Sequence, residues 1–150
     1  MSRMRRHAVW IIAMIAAFTM PAEIAAASGP SDEMIEVINK VRARHGLHAL
    51  SAPPSLHRSS GAFSRRLMGS NRFGHGSRVS ASRGFRRLGE ALALHAGRRI
   101  AIRRTVRKWL RSSGHRAIVL TRMRYAGAGV TRGRFGRNRA TIWVLQVGSR

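Results

Sequence analysis

Apolar side chains recur at helical spacing in three stretches of the chain, and two later stretches carry the residue types of strands. Met34, Ile35, Val37, Ile38 and Val41 make the first helical stripe. Ser31 stands where an N-cap is expected, Asp32 and Glu33 fall in a first turn that favours acids, and Gly46 offers a C-cap. Leu47 to Leu50 reads as a short extended piece. Pro53 and Pro54 then punctuate the chain and open a second helix, with Leu56, Phe63, Leu67 and Met68 on one side and an end near Gly69. Residues 70–90 are rich in glycine, serine and arginine and predict a long loop, which inside a compact domain is usually a functional one. In the third helix Ile102, Val106, Trp109 and Leu110 line one face and Arg103, Arg107 and Arg111 another. Arg104 and Lys108 widen that basic face, and Gly114 is expected to end the helix. Tyr125 to Val130 and Thr141 to Val147 are β-prone, separated by a glycine–arginine connection from Arg132 to Arg139. Helices first and strands last predict an α+β domain in which helices cover a small sheet.

The start of the chain follows a different pattern. Arg3, Arg5 and Arg6 precede the apolar segment Ala8 to Met20, Pro21 breaks it, and Ala25, Ala26 and Ala27 supply small residues. Residues 1–27 therefore read as a secretory signal peptide cut before Ser28, leaving one domain over 28–150. The apolar segment is shorter than the roughly 20 residues of a spanning helix, so export with cleavage is favoured over an uncleaved anchor. The expected location is secreted or periplasmic.

Charge changes the picture more than length does. Lys and Arg number 29 against 5 Asp and Glu, a net charge of +24, and only Lys40 and Lys108 are lysines. So few carboxylates exclude calcium loops of the EF-hand kind and most paired-carboxylate catalysis. The absence of cysteine excludes disulfide scaffolds, thiolate zinc fingers and cysteine nucleophiles. An exported domain without cysteines points to a bacterial source.

Three residues stand out as candidates for chemistry. Glu90 is the only carboxylate between Val37 and Arg150. Its readings are an ion-pair anchor for an arginine or a partner for histidines. His75 lies in the glycine-flanked segment Phe73-Gly74-His75-Gly76, suited to presenting an imidazole to a cleft. His115 is expected at the C-terminal end of the arginine-striped helix, where the dipole favours a protonated ring. Their long spacing matches no local metal motif, and no G-x-S-x-G elbow supports a serine hydrolase. His45, His48, His57 and His95 read as surface or packing residues.

Taken in order, these pieces resemble the bacterial secreted branch of the CAP superfamily, the SCP-like domains. Ile38-Asn39-Lys40-Val41-Arg42 and Gly46-Leu47-x-x-Leu50 are similar to its opening helix, with the spacing shifted by one. Phe73-Gly74-His75 resembles its F-x-H segment and Gly89-Glu90 its G-E-N, with Ala91 in place of the asparagine. Trp109 to Arg116 resembles W-x-x-S-P-G-H-R, with Ser113 in place of the proline. Ala126 to Val130 and Trp143 to Gly148 resemble the closing strands. The resemblance covers about Met34 to Gly148 and implies a three-layer α-β-α sandwich. It further implies a cleft in which His75, Glu90 and His115 hold a divalent metal such as zinc, with a water in the open position. Glu90 would act there as a ligand or as the group that fixes the imidazole tautomers.

The function implied is that of an exported protein acting by binding a metal or small ligand; some members of the family bind lipids or sterols. An alternative reading makes the arginine surface the function, as a binder of anionic envelope polymers or acidic lipid headgroups. Nucleic acid is a weaker partner, given the export signal and the lack of interleaved aromatics beyond Phe135. A hydrolase using metal-bound water or a serine is weaker still, because no carboxylate beyond Glu90 follows Glu36 to serve as base.

Overall fold

The computed structural model describes residues 29–76 and 84–150. The expected signal peptide and its cleavage site lie outside the described residues. Seven elements follow in order: α1 (Pro30–Arg44), α2 (Pro54–Ser70), β1 (Arg87–Ala96), α3 (Ile102–Arg111), α4 (Ser113–Val119), β2 (Tyr125–Phe135) and β3 (Asn138–Ser149). The strands form one antiparallel sheet in the order β1-β3-β2. One face of the sheet carries α1, α3 and α4, and the other carries α2, giving the three layers that the resemblance implies.

Side-chain alternation along the strands sorts the two cores. Ala91, Ala93, Trp143, Leu145 and Val147 face α1, α3 and α4, where they bury Met34, Ile38, Val106 and Trp109. Leu92, Ile142 and Val144 face the other way and meet Leu67 and Met68 of α2. The approach of α2 is unusually close. A Cβ on Gly127 would lie 2.2 Å from the carbonyl carbon of Leu56, and one on Gly129 would lie 2.3 Å from the nitrogen of Gly61. Only glycine lets the helix rest on the backbone of β2 at these two points.

Polar side chains pin the connections. Asn39 pairs with both the N–H and the carbonyl of Leu50, at 2.8 and 3.1 Å. Arg42, fully buried, donates to the carbonyls of His48, Val119 and Thr121 at 3.0, 2.9 and 2.8 Å. Burial lowers its pKa, but it remains a cation serving as a three-way tie between backbone segments. Trp109 and Trp143 donate their indole N–H groups to the carbonyls of Leu92 and Ile100. His57 lies between α1 and β2, with Nε2 3.5 Å from Asp32 and Nδ1 3.2 Å from the Ala128 nitrogen.

Several sequence expectations are corrected. The N-cap of α1 is Gly29, not Ser31: Pro30 takes the first helical position and Asp32 turns back to accept from the Gly29 N–H at 3.1 Å. Gly46 does follow the helix in a left-handed conformation, φ +65°. The loop expected over 70–90 ends before Arg87, where β1 begins, so the strands do not all come last. Leu88 to Ala96 carries no β-branched residue, and it is strand because it pairs along its length with β3. Gly114 does not end α3. Ser112, in extended conformation, breaks the helix, and Gly114 lies in the first turn of α4. The connection expected at Arg132–Arg139 is instead strand on both sides of a two-residue turn at Gly136 and Arg137. Gly136, φ +59°, supplies the positive φ that such a hairpin needs.

Candidate functional site

β1 is an edge strand, and its residues 89 and 90 serve opposite faces of the sheet. Gly89 faces α4, and a Cβ there would meet Cδ1 of Ile118 at 2.7 Å, so glycine admits the helix. Glu90 faces the other way, opposite Gln146 of β3. Its side chain is 2% exposed. One carboxylate oxygen lies 2.9 Å from Nδ1 of His75, and the other accepts from the Gln146 amide N–H at 3.2 Å. Gln146 is fully buried, and its amide oxygen accepts from the hydroxyl of Ser59 on α2. A directed chain results: Ser59 donates to Gln146, Gln146 donates to Glu90, and His75 donates to Glu90.

The direction fixes the tautomer of His75. An ionised carboxylate only accepts, so Nδ1 carries a proton, and in the neutral ring the lone pair sits on Nε2. The His75 side chain is 54% exposed, so this nitrogen belongs to a ring that solvent and ligands reach. His115, in the first turn of α4, brings its ring centroid to 6.4 Å from that of His75, at an interplanar angle of 38°. Its pKa is lowered, first by burial and then by the charges of His75 and Lys108. The expected stabilisation of a protonated His115 by a helix C-terminus is therefore reversed. The break at Ser112 places it at the start of α4, where a cation is disfavoured.

The structure thus brings His75 against Glu90 and His115 near His75, from the loop after α2, the edge strand and α4. Among the described residues no group of three or more His, Cys, Asp or Glu is arranged as it stands to hold a metal ion. Both Glu90 oxygens are engaged. An ion held by one nitrogen of each ring at about 2.0–2.1 Å, with a tetrahedral angle between them, would draw the centroids to about 5 Å. The arrangement fits a pair of imidazoles backed by an orienting carboxylate, and the exposed His75 is the ring that would move. Sequence reasoning missed Gln146 and Ser59. The signal was present in Gln146, the one polar residue between Ile142 and Val147. His95 is more than a packing residue: it donates to Thr105, at the arginine-rich side of the domain.

Comparison with known proteins agrees with this architecture. The family model described as CAP, the cysteine-rich secretory protein family, matches residues 35–147. An outer surface protein of Borrelia burgdorferi is similar in structure, with a TM-score of 0.64 and 20% identity over 79% of this chain and 91% of that one. An extracellular SCP-domain protein of Bacillus anthracis gives a TM-score of 0.62 and 20% identity over 81% of this chain and 41% of that one. The venom allergen-like protein 4 of Schistosoma mansoni gives 0.60 and 12% identity over 81% and 89%. Among curated proteins none matches by sequence. The chain, though it has no cysteine of its own, belongs to the cysteine-rich secretory protein, or CAP, family.

Proposed function

We propose that this chain is an exported bacterial CAP-domain protein that acts by binding, with His75 and His115 as the groups that take a divalent metal such as zinc. The observation that carries this reading is the contact between the buried Glu90 and Nδ1 of His75, with Gln146 behind it. A carboxylate that holds one ring nitrogen leaves the other aimed and basic, as behind metal-bound imidazoles generally. Water or ligand atoms would complete the coordination of a metal held by two rings. The secretory pattern of residues 1–27, together with the outer-surface and extracellular neighbours, supports a location outside the cytoplasm. Binding is favoured over hydrolysis because Glu90 is committed to His75 and Gln146, leaving no carboxylate among the described residues beside the rings as a general base.

Calorimetric titration of the full chain with zinc tests this reading. The expected result is one ion per chain, lost in His75→Ala and His115→Ala and weakened about 10–100-fold in Glu90→Gln. Zinc binding that survives both histidine variants, or no binding to the wild type, would overturn it.

A further inference from the structure

At one end of the sheet face that carries α3, the cover is the loop between β1 and α3. The segment 97–101 lies against β3 there, fixed by three hydrogen bonds: Gly97 N–H to the Arg139 carbonyl, Thr141 hydroxyl to the Gly97 carbonyl, and Trp143 indole to the Ile100 carbonyl. Ala101 then takes a left-handed conformation, φ +43°, and turns the chain into α3. The result is an open depression of about 510 Å³ lined by His95, Arg98, Arg99, Arg104 and Arg132. Arg104 also lines a neighbouring depression with Arg107, Lys108 and Arg111. Arg98 lines another with Arg134 and Arg139. The central depression shares Arg104 with one neighbour and Arg98 with the other, so the three form one track along α3 and onto the β2–β3 hairpin.

Among the described residues no carboxylate lines these three depressions. Glu33 lines an adjoining depression that shares Ile100, Ala101 and Arg104 with the central one. Among the described residues no arginine or lysine forms an ion pair with an acidic side chain. Guanidiniums held side by side without counter-charges repel one another, and a ligand with several anionic groups would relieve that repulsion. Arginine forks match phosphoryl oxygens two at a time.

The surroundings narrow the ligand class. Phe73 is the only large hydrophobic residue exposed among the described residues, and it precedes His75 rather than lining the track. The track's lining includes the half-buried Ile100 and the half-buried His95 ring, which Thr105 holds, but among the described residues no Phe, Tyr or Trp. The track therefore offers no exposed aromatic face for stacking bases and no exposed large apolar side chain for insertion into a bilayer. Its linked depressions suit a chain of charges better than a single anion.

We propose that the track from Arg111 through Arg104 and Arg98 to Arg139 binds a linear polyanion of phosphoryl groups without bases, lying across the segment 98–104. This site shares no residue with the histidine pair, although the charge of Lys108, which lines it, is felt at His115.

Binding of the full chain to labelled inorganic polyphosphate across a salt series tests the proposal. The groove triple variant Arg98→Gln/Arg99→Gln/Arg132→Gln is compared with an equal-charge control on α2, Arg58→Gln/Arg65→Gln/Arg66→Gln, where all three residues are exposed. The groove variant is expected to lose at least about tenfold in affinity at 0.1 M salt, with a salt slope shallower by about two, while the control stays within about threefold of wild type. His75→Ala binds as wild type does. Equal losses in the two triples would reduce the effect to net charge and overturn the proposal, as would failure of the wild type to bind. Tighter binding to phosphatidylglycerol vesicles or to single-stranded DNA than to polyphosphate at equal phosphate would overturn the ligand class.

Discussion

On the α2 side of the sheet, helix and β2 meet through backbone and hydroxyl groups beside a small apolar cluster; on the α1, α3 and α4 side, contact is made by large apolar side chains. Gly127 and Gly129 let α2 lie on the strand, and Ser60 and Ser64 reach across to the Gly127 carbonyl and the Thr131 hydroxyl. That close, polar seam continues through Ser59 and Gln146 to Glu90 and ends at His75. The other side buries Trp109 and Trp143 completely and, Arg42 excepted, leaves its arginines outside. The difference teaches where a functional group can be aimed. A hydrogen-bonded seam fixes direction, so the one acid that follows α1 can set the tautomer of a histidine. An apolar core fixes position only, and among the described residues the arginines at its rim have no acidic partner.

The comparison can be broken from either side, and the largest effect is expected from the seam. Gly129→Ala forces a methyl group into the α2 backbone and should cost more than about 4 kcal/mol, read as a urea midpoint shift or loss of folding. Trp109→Ala on the other face should cost about 3–5 kcal/mol by leaving a cavity and an unpaired Leu92 carbonyl. Glu90→Gln should cost about 1–3 kcal/mol, because the Gln146 amide loses a charged acceptor and His75 its orienting partner. Its circular dichroism should stay that of the wild type, which separates a local loss from a fold defect.

Acid should weaken the α3 side through its histidines. The pKa of His95 is lowered by burial and by Lys108 and Arg104, and that of His115 by burial, His75 and Lys108. Below the ordinary imidazole value, about 6.5, the unfolded chain binds more protons than the folded one, so stability falls as pH drops and is fully present above it. His95→Gln, which keeps a donor for Thr105, should flatten part of that loss in urea midpoints measured at pH 7.5 and 5.5. The smallest effect belongs to the rim: Arg107→Gln and Arg111→Gln should change stability by no more than about 0.5 kcal/mol.

Much of this was legible in the sequence where one force dominates. The stripes of α1, α2 and α3 follow from apolar spacing, and β2 and β3 from their apolar and β-branched runs. Glu90 was marked by its isolation among cations, and the structure places it against His75. What was not legible depends on partners far along the chain. β1 is written in leucine and alanine and becomes a strand only through β3. The hairpin looks like a loop because Arg132, Arg134, Arg137 and Arg139 are exposed and Gly133 lies against Met68. The break at Ser112 separates two helices whose residues read as one helix and its cap. Gln146 was hidden in an apolar run, since periodicity marks which way it points but not which group waits there.

The most direct test of the account is the tautomer of His75 in the full chain, read from histidine ring nitrogens by 15N NMR with and without zinc. The account predicts the Nδ1–H form in the free protein, with Nε2 as the nitrogen that shifts when zinc is added and both signatures lost in Glu90→Gln. A free His75 in the Nε2–H form, or a ring unchanged at saturating zinc, would contradict it.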